Sequence, residues 1–140
     1  MNKNKERIAV TLMLLATVVT IVGVFGIESF RRKQFYTVEL IARSPLNGNW
    51  TSRGKDGIWH PRKIYAPYGK EVKLYIRNIE TVSHGFALPD FNLDPPINEI
   101  KAGEVVAVKF MADKKGTFPF FCTVWCSNEH MQMSGELIVE

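Results

Sequence analysis

The stretch Cys122-Thr-Val-Trp-Cys126-Ser-Asn-Glu-His130-Met-Gln-Met133 places two thiols, an imidazole and a thioether within twelve residues near the end of the sequence. Both cysteines of the protein lie in it, together with one of three histidines. Thiolate and thioether are soft ligands, which favour copper over calcium, magnesium or manganese. The spacing C-x3-C-x3-H-x2-M is too short for separate secondary-structure elements to present these ligands. We therefore predict one loop that curls around a metal.

The same residue types allow three other kinds of site. The two cysteines can form a disulfide outside the cytoplasm. Two cysteines and two histidines can hold a structural zinc ion, which leaves Met133 unused. A mononuclear blue-copper site needs one cysteine, two histidines and a weak methionine ligand, so the second cysteine counts against it.

The loop resembles the ligand loop of the dinuclear CuA centre in cytochrome oxidase subunit II and in the C-terminal domain of nitrous-oxide reductase. Upstream, residues 71–78 (EVKLYIRN) and then 82–86 (VSHGF) are similar to the strand and the remote histidine of the same families. The segment His130-Met-Gln-Met133 is closer to the nitrous-oxide reductase version. The resemblance covers roughly residues 64–140, and five side-chain ligands match in kind and order.

The resemblance implies six ligand positions for a pair of copper ions: His84, Cys122, Val124, Cys126, His130 and Met133. The two cysteines would bridge the coppers, and each histidine would bind one of them. Met133 would be the weak ligand beside His84, and the backbone carbonyl of Val124 would be the weak ligand beside His130. Such a ligand set leaves no position for water or substrate, which suits electron transfer better than catalysis.

The family also implies partners. A CuA protein would receive electrons one at a time from a c-type cytochrome or a small copper protein. It would pass them to a haem–copper catalytic subunit that reduces oxygen or nitric oxide, so the chain itself would have no catalytic site. A free-standing tethered CuA carrier, a copper-delivery protein and a structural zinc or disulfide domain are the alternatives.

The sequence departs from the two families in several places. Many oxidase subunits II have two transmembrane helices and a glutamate, which helps to hold magnesium, at the position of Val124. This sequence has one long apolar run and a valine, which favours the subunits II of B-type haem–copper oxidases. Three histidines cannot build the histidine-rich copper cluster of nitrous-oxide reductase.

The apolar run at residues 8–27 (IAVTLMLLATVVTIVGVFGI) is uncharged and long enough to cross a bilayer as a helix. A cleaved signal peptide, ending at residues 24–26 (VFG), is the alternative, but the run is longer than a usual signal core. We predict four segments: an N-terminal flank at 1–7, a transmembrane anchor at 8–27, a charged neck at 28–35 and the cupredoxin domain at 36–140.

The net charge of +4 arises beside the anchor. The flanking charges are Lys3, Lys5, Arg7, Arg31, Arg32 and Lys33, against Glu6 and Glu28. Residues after position 34 contain twelve basic and twelve acidic side chains, which gives no support for nucleic acid binding. Basic residues on both sides of the run leave the orientation open. Because a copper–thiolate carrier of this family lies outside the cytoplasm, we predict a single-pass protein of the cell membrane with its C-terminal domain on the periplasmic side.

After the neck, segments rich in β-forming residues predict strands at 36–43, 64–67, 71–78, 105–110 and 136–139. Residues 44–57 have loop composition, and residues 87–98 contain three prolines that exclude a helix or a central strand. Short strands with Gly- and Pro-rich turns predict an all-β sandwich. The resemblance narrows this to a cupredoxin Greek-key sandwich with one N-terminal transmembrane helix.

Several residues that resemble ligands or site residues receive simpler interpretations. We predict that His60 is a surface or loop histidine and that Met131 is turned away from the metal. Trp50 and Trp59 are expected to be core or interface aromatics.

Overall fold

A computed structural model describes residues 3–140, apart from the side chains of residues 30–34. The chain divides after Gln34 into two compact units, an N-terminal helical unit and a unit that spans Phe35–Glu140. The first unit is a single helix, and the second contains two β-sheets.

Helix α1 spans Lys3–Gln34. Its segment Lys3–Ser29 is long and apolar enough to cross a membrane. The helix therefore includes the predicted anchor and nearly all of the predicted neck, because no glycine or proline interrupts residues 28–34. Threonine hydroxyls inside the apolar run donate hydrogen bonds to carbonyls one turn earlier, as Thr20 does to Ala16 at 2.7 Å. Such bonds satisfy polar groups where no water is present.

The second unit contains eight strands: β1 Phe35–Ala42, β2 Thr51–Arg53, β3 Trp59–Pro61, β4 Lys63–Ala66, β5 Glu71–Asn78, β6 Val105–Met111, β7 Gly116–Phe121 and β8 Ser134–Val139. One sheet has the order β3-β2-β1-β5-β6, and the other has the order β4-β8-β7. The pairs β1–β5 and β4–β8 are parallel, and the remaining pairs are antiparallel. The prediction of an all-β sandwich is confirmed.

Apolar side chains at alternate positions along the strands form the core. In β5, Val72, Leu74 and Ile76 are fully buried, as the sequence pattern predicts. Trp50 directly before β2, Phe86 after β5 and Phe120 in β7 are also fully buried. Their ring centroids lie 5.5–5.9 Å apart. Aromatic pairs at this distance add to the free energy of burial.

The prediction of a loop over residues 44–57 is wrong in part. Thr51–Arg53 form β2, which pairs with β1 on one side and β3 on the other. Glycines and asparagines dominate the local composition, but the buried side chains of Thr51 and Ser52 fix this segment in the sheet. His60, predicted on the surface or in a loop, lies in the short edge strand β3 and contacts Asp56 at 2.6 Å.

Parallel pairing brings the ends of two strands to the same end of the sandwich. β1 and β5 run side by side, with Ala42 opposite Asn78 at their last residues. The end of β7 joins them, because Phe121 exchanges backbone hydrogen bonds with Ala87, a few residues after β5. The loops that follow these three strands therefore meet at one end of the domain.

Candidate metal centre

The cysteine loop leaves and re-enters one sheet at adjacent strands. β7 ends at Phe121 directly before Cys122, and β8 begins directly after Met133. The Cys122 N–H donates to the Met133 carbonyl at 3.0 Å, which closes the base of the loop. A 3₁₀ turn at His130–Gln132 brings the chain back toward the cysteines.

His84 comes from a different part of the chain, the segment after β5. Its backbone exchanges two hydrogen bonds with Ile100, at 3.0 and 2.7 Å. The imidazole is fully buried, and its Nδ1 lies 3.9 Å from Cys122 Sγ. The ligand atoms of His84, Cys122 and Cys126 all lie within 4.8 Å of one another.

A second set of contacts surrounds the other thiol. Cys126 Sγ lies 3.5 Å from His130 Nδ1 and 3.6 Å from Met133 Sδ. The Cys122 thiol donates to the Val124 carbonyl at 3.2 Å, so this oxygen also points at the cluster. The structure thus brings all six predicted positions together, with each histidine beside a different cysteine.

Trp50 contacts the ligand loop and His84, a role that could not be predicted from the sequence around it. Its indole N–H donates to the Met133 carbonyl at 3.2 Å, and its ring lies 6.4 Å from that of His84. The neighbouring Asn49, at a positive φ of 61°, donates from its side chain to the Gln132 carbonyl at 3.0 Å. The segment 49–50 therefore holds the last turn of the ligand loop.

Gly85 marks a close approach between the two ligand-bearing segments. A Cβ at this position would lie 2.0 Å from Thr123 Oγ1. The same residue donates its N–H to Cys122 Sγ at 3.4 Å. A side chain here would have to displace the Thr123 hydroxyl and would lie 3.1 Å from the Thr123 backbone nitrogen, so glycine allows the closest approach of the two segments.

Glu80 orients His84. Its Oε2 lies 2.9 Å from His84 Nε2, and its carboxylate also accepts hydrogen bonds from Ser44 N, Ser44 Oγ and Asn47 Nδ2. Burial alone would raise the pKa of Glu80, but these hydrogen bonds together hold the pKa below its ordinary value. An ionised Glu80 accepts a hydrogen bond from the His84 Nε2–H, which leaves Nδ1 as the free ligand atom. Glu80 was not among the predicted site residues, although it precedes His84 by only four residues.

Burial also governs the protonation of the ligands. Burial lowers the pKa of His84, although the hydrogen bond that His84 donates to Glu80 opposes this, and so favours the neutral imidazole that metals bind. Burial, together with the neighbouring Cys122, raises the pKa of Cys126 to about 11. A metal that binds Cys126 must therefore displace its proton.

Two other sulfur or imidazole groups stay outside the cluster. Met131, next to His130, is 85% exposed, as predicted for a residue turned away from the metal. His60 pairs with Asp56 and packs against the Tyr65 ring at 4.8 Å, outside the set of contacts described above.

The Cupredoxin-like domain family matches residues 52–139. The chain belongs to this family. Its relatives include the nitrous-oxide reductase of Cupriavidus necator, which is 40% identical over 79% of this chain and 15% of its own length. Cytochrome c oxidase subunit 2 of Thermostichus vulcanus is 31% identical over 55% of this chain and 22% of its own length. The chain thus spans about a fifth or less of these relatives.

Solved structures show the same fold. The periplasmic domain of cytochrome oxidase subunit II (CoxB) of Bradyrhizobium japonicum superposes with a TM-score of 0.62 at 20% identity, over 75% of this chain and 83% of that one. A chain of a heme-copper terminal oxidase dimer superposes with a TM-score of 0.60 at 19% identity, over 99% of this chain and all of that one. The second match includes the N-terminal helix. The predicted fold and family are confirmed.

Proposed function

We propose that this chain is an electron-entry subunit of a haem–copper oxidase, with a dinuclear CuA centre on the periplasmic side of the cell membrane. The observation that supports the proposal best is the meeting of two thiols, two imidazoles, a thioether and a backbone carbonyl at one end of the sandwich. The ligand positions are His84, Cys122, Val124, Cys126, His130 and Met133.

The contacts favour two metal ions over one. His84 lies beside Cys122, and His130 lies beside Cys126, so there is one imidazole for each of two ions. The two Sγ atoms lie within 4.8 Å of each other, so both thiolates would be near enough to hold the same ions. A single zinc ion bound by two cysteines and two histidines leaves the buried Met133 thioether, 3.6 Å from Cys126 Sγ, without a role.

A bound copper pair would supply reversible one-electron transfer. The protein restricts access of water, since His84, Cys122 and Met133 are buried and Cys126 and His130 are half-buried. Trp50 and the loop hydrogen bonds hold the ligands in one arrangement, so little movement is needed when charge changes. An apolar and rigid environment of this kind sets the reduction potential of a metal centre. It offers no binding site for a substrate.

Three exposed apolar side chains lie in the ligand loop or directly before it. We call Phe121, Trp125 and Met131 the loop face; Trp125 and Met131 are 69% and 85% exposed. The Trp125 ring lies 5.7 Å from the His130 ring, which places this face against a proposed ligand. Exposed aromatic and methionine side chains are enriched in protein interfaces. We propose that a c-type cytochrome or a small copper protein docks here.

Replacing Trp125 with alanine is expected to slow reduction of the copper-loaded protein by a reduced c-type cytochrome about tenfold or more, the size typical of an interface hot spot. Stopped-flow absorption at equal copper content measures this rate. Trp59→Ala is the control, because Trp59 is exposed on β3 and lies outside the loop face. An equal effect of both substitutions, or none from Trp125→Ala, would reject the loop face.

Extraction of the full chain in mild detergent distinguishes an entry subunit from a free carrier. An entry subunit is expected to leave the membrane with a haem-containing partner. A protein that carries copper and is extracted alone would contradict the assignment to an oxidase and leave a tethered electron carrier.

A further inference from the structure

The segment 79–83, which leads from β5 to His84, lacks main-chain pairing. Within the described residues 3–140, none of its N–H or C=O groups makes a backbone–backbone hydrogen bond. The residues on either side are fixed, since the Asn78 N–H donates to the Glu104 carbonyl at 2.9 Å and His84 exchanges two hydrogen bonds with Ile100. Backbone polar groups of native proteins need partners. Side chains must therefore provide the protein bonds that hold this segment.

The side chain of Asn78 provides them. It is fully buried, and its Nδ2 donates to the Val82 carbonyl at 2.7 Å and to the Ile100 carbonyl at 3.0 Å. Its Oδ1 accepts the Glu80 N–H at 2.9 Å, which is the bond of an Asx turn. Because Nδ2 faces two acceptors and Oδ1 faces a donor, only this orientation of the amide satisfies all three bonds.

The three partners of Asn78 are the groups that determine where His84 lies. Glu80 Oε2 lies 2.9 Å from the His84 Nε2 atom. Ile100 pairs with the backbone of His84 in both directions, and Val82 precedes it by two residues. No hydrogen bond in the described part of the chain joins Asn78 to His84 itself. Any effect of Asn78 on the imidazole therefore passes through these neighbours.

We propose that Asn78 is a positioning residue, which holds the remote ligand His84 at the metal centre through Glu80, Val82 and Ile100. Its three hydrogen bonds replace the main-chain pairing that residues 79–83 lack, so the imidazole takes one arrangement before a metal binds. A ligand that is already in place loses less conformational freedom on binding. The inference rests on the proposed function for its metal, but the arrangement of His84 can be measured without one.

Asn78→Ala is expected to loosen His84 in the metal-free full chain, purified in detergent. Exchange of the His84 N–H with solvent deuterium, followed by NMR, is expected to become about tenfold faster or more, because local opening no longer breaks the Asn78 bonds. Nitrogen NMR of the imidazole is expected to show one tautomer, protonated at Nε2, in the unchanged protein and a mixture in the variant. Glu80 is half-buried and Val82 is exposed, so water can reach their freed groups and the domain is expected to fold.

Two further variants separate positioning from general stability. Ser52 is also buried, and its hydroxyl donates to the Lys63 carbonyl, away from the metal centre. Ser52→Ala is therefore the matched control, expected to change neither the exchange rate nor the tautomer of His84. Asn78→Ser keeps an acceptor for the Glu80 N–H but loses the paired amide donors, so its His84 exchange rate is expected to lie between those of the unchanged protein and Asn78→Ala.

EPR spectroscopy of the copper-loaded chains tests the same inference at the centre. Asn78→Ala is expected to share the unpaired electron unequally, because only one of the two ions is bound by His84. Unchanged exchange and tautomer of His84 in folded Asn78→Ala, or equal changes in Ser52→Ala, would overturn the inference. If circular dichroism shows that Asn78→Ala is unfolded, Asn78→Ser decides by the same criteria. A chain without two coppers would reject the CuA assignment alone, since the metal-free measurements do not depend on it.

Discussion

Cys126→Ser is expected to abolish the dinuclear centre. Cys126 Sγ contacts both His130 Nδ1 and Met133 Sδ, at 3.5 and 3.6 Å, and lies within 4.8 Å of the ligand atoms of His84 and Cys122. It is therefore the sulfur that joins the two sets of contacts. A serine oxygen is a hard ligand and does not replace a bridging thiolate for copper. The copper content is expected to fall from two ions per chain to one or none.

Copper analysis and EPR spectroscopy of the purified variant measure this outcome. Any remaining copper is expected to show an unpaired electron localised on one ion. Met131→Leu is the matched control, because it removes an exposed thioether from the same loop and is expected to retain both coppers. A Cys126→Ser protein that keeps two coppers and a shared electron would contradict the proposed ligand set.

Trp50→Ala is expected to cause the largest loss of stability among single substitutions near the site. The side chain is fully buried between Phe86 and Phe120, and its N–H donates to the Met133 carbonyl. Replacing a buried tryptophan with alanine typically costs about 3–5 kcal/mol of unfolding free energy. For a domain of about 100 residues, each kcal/mol lowers Tm by roughly 4–8 °C. Denaturant unfolding of the metal-free protein measures the change.

Two further variants separate packing from hydrogen bonding at this position. Trp50→Phe keeps an aromatic ring and removes the N–H, but the Met133 carbonyl keeps its hydrogen bond from Cys122 N–H. The variant is therefore expected to lose about 0.5–1.5 kcal/mol, the typical net contribution of one hydrogen bond. Trp125→Ala removes an exposed ring from the same loop and is expected to stay within about 0.5 kcal/mol. If Trp50→Ala were no more harmful than Trp125→Ala, the supporting role of Trp50 would be wrong.

The ligand positions could be predicted from the sequence because the chemistry is local. Cys122, Cys126, His130 and Met133 lie in one short loop, and their spacing alone requires that the chain curls. The remote His84 could be placed through the resemblance. The structure places these positions close together, and their binding of two coppers is a proposal.

Several groups that support the ligands could not be predicted, because their partners are distant in sequence; Glu80, four residues before His84, is the exception. Trp50 contacts Met133 across 83 residues, and Ser44 contacts Glu80 across 36. No local pattern encodes these pairs. The conformation at Asn49 and the short strand β2 also depend on tertiary contacts, with the Gln132 carbonyl and with β1 and β3 respectively. Composition alone does not show these contacts and therefore predicted a loop.

The boundary between helix and domain illustrates a different limit. Sequence hydropathy defines the apolar run, but it does not define where the helix ends. Residues 28–34 are charged or polar apart from Phe30, yet none of them is a glycine or a proline, and α1 continues to Gln34. Hydropathy therefore locates the candidate membrane span, while backbone propensity determines the length of the helix.

The most direct test of the central claim is a copper count combined with EPR spectroscopy of the full chain, purified in detergent, reduced and reconstituted with copper. We predict two coppers per chain and a hyperfine pattern in which one unpaired electron is shared equally by both ions. One copper with a localised electron, or tight binding of zinc without stable copper, would contradict the CuA assignment and the electron-entry function.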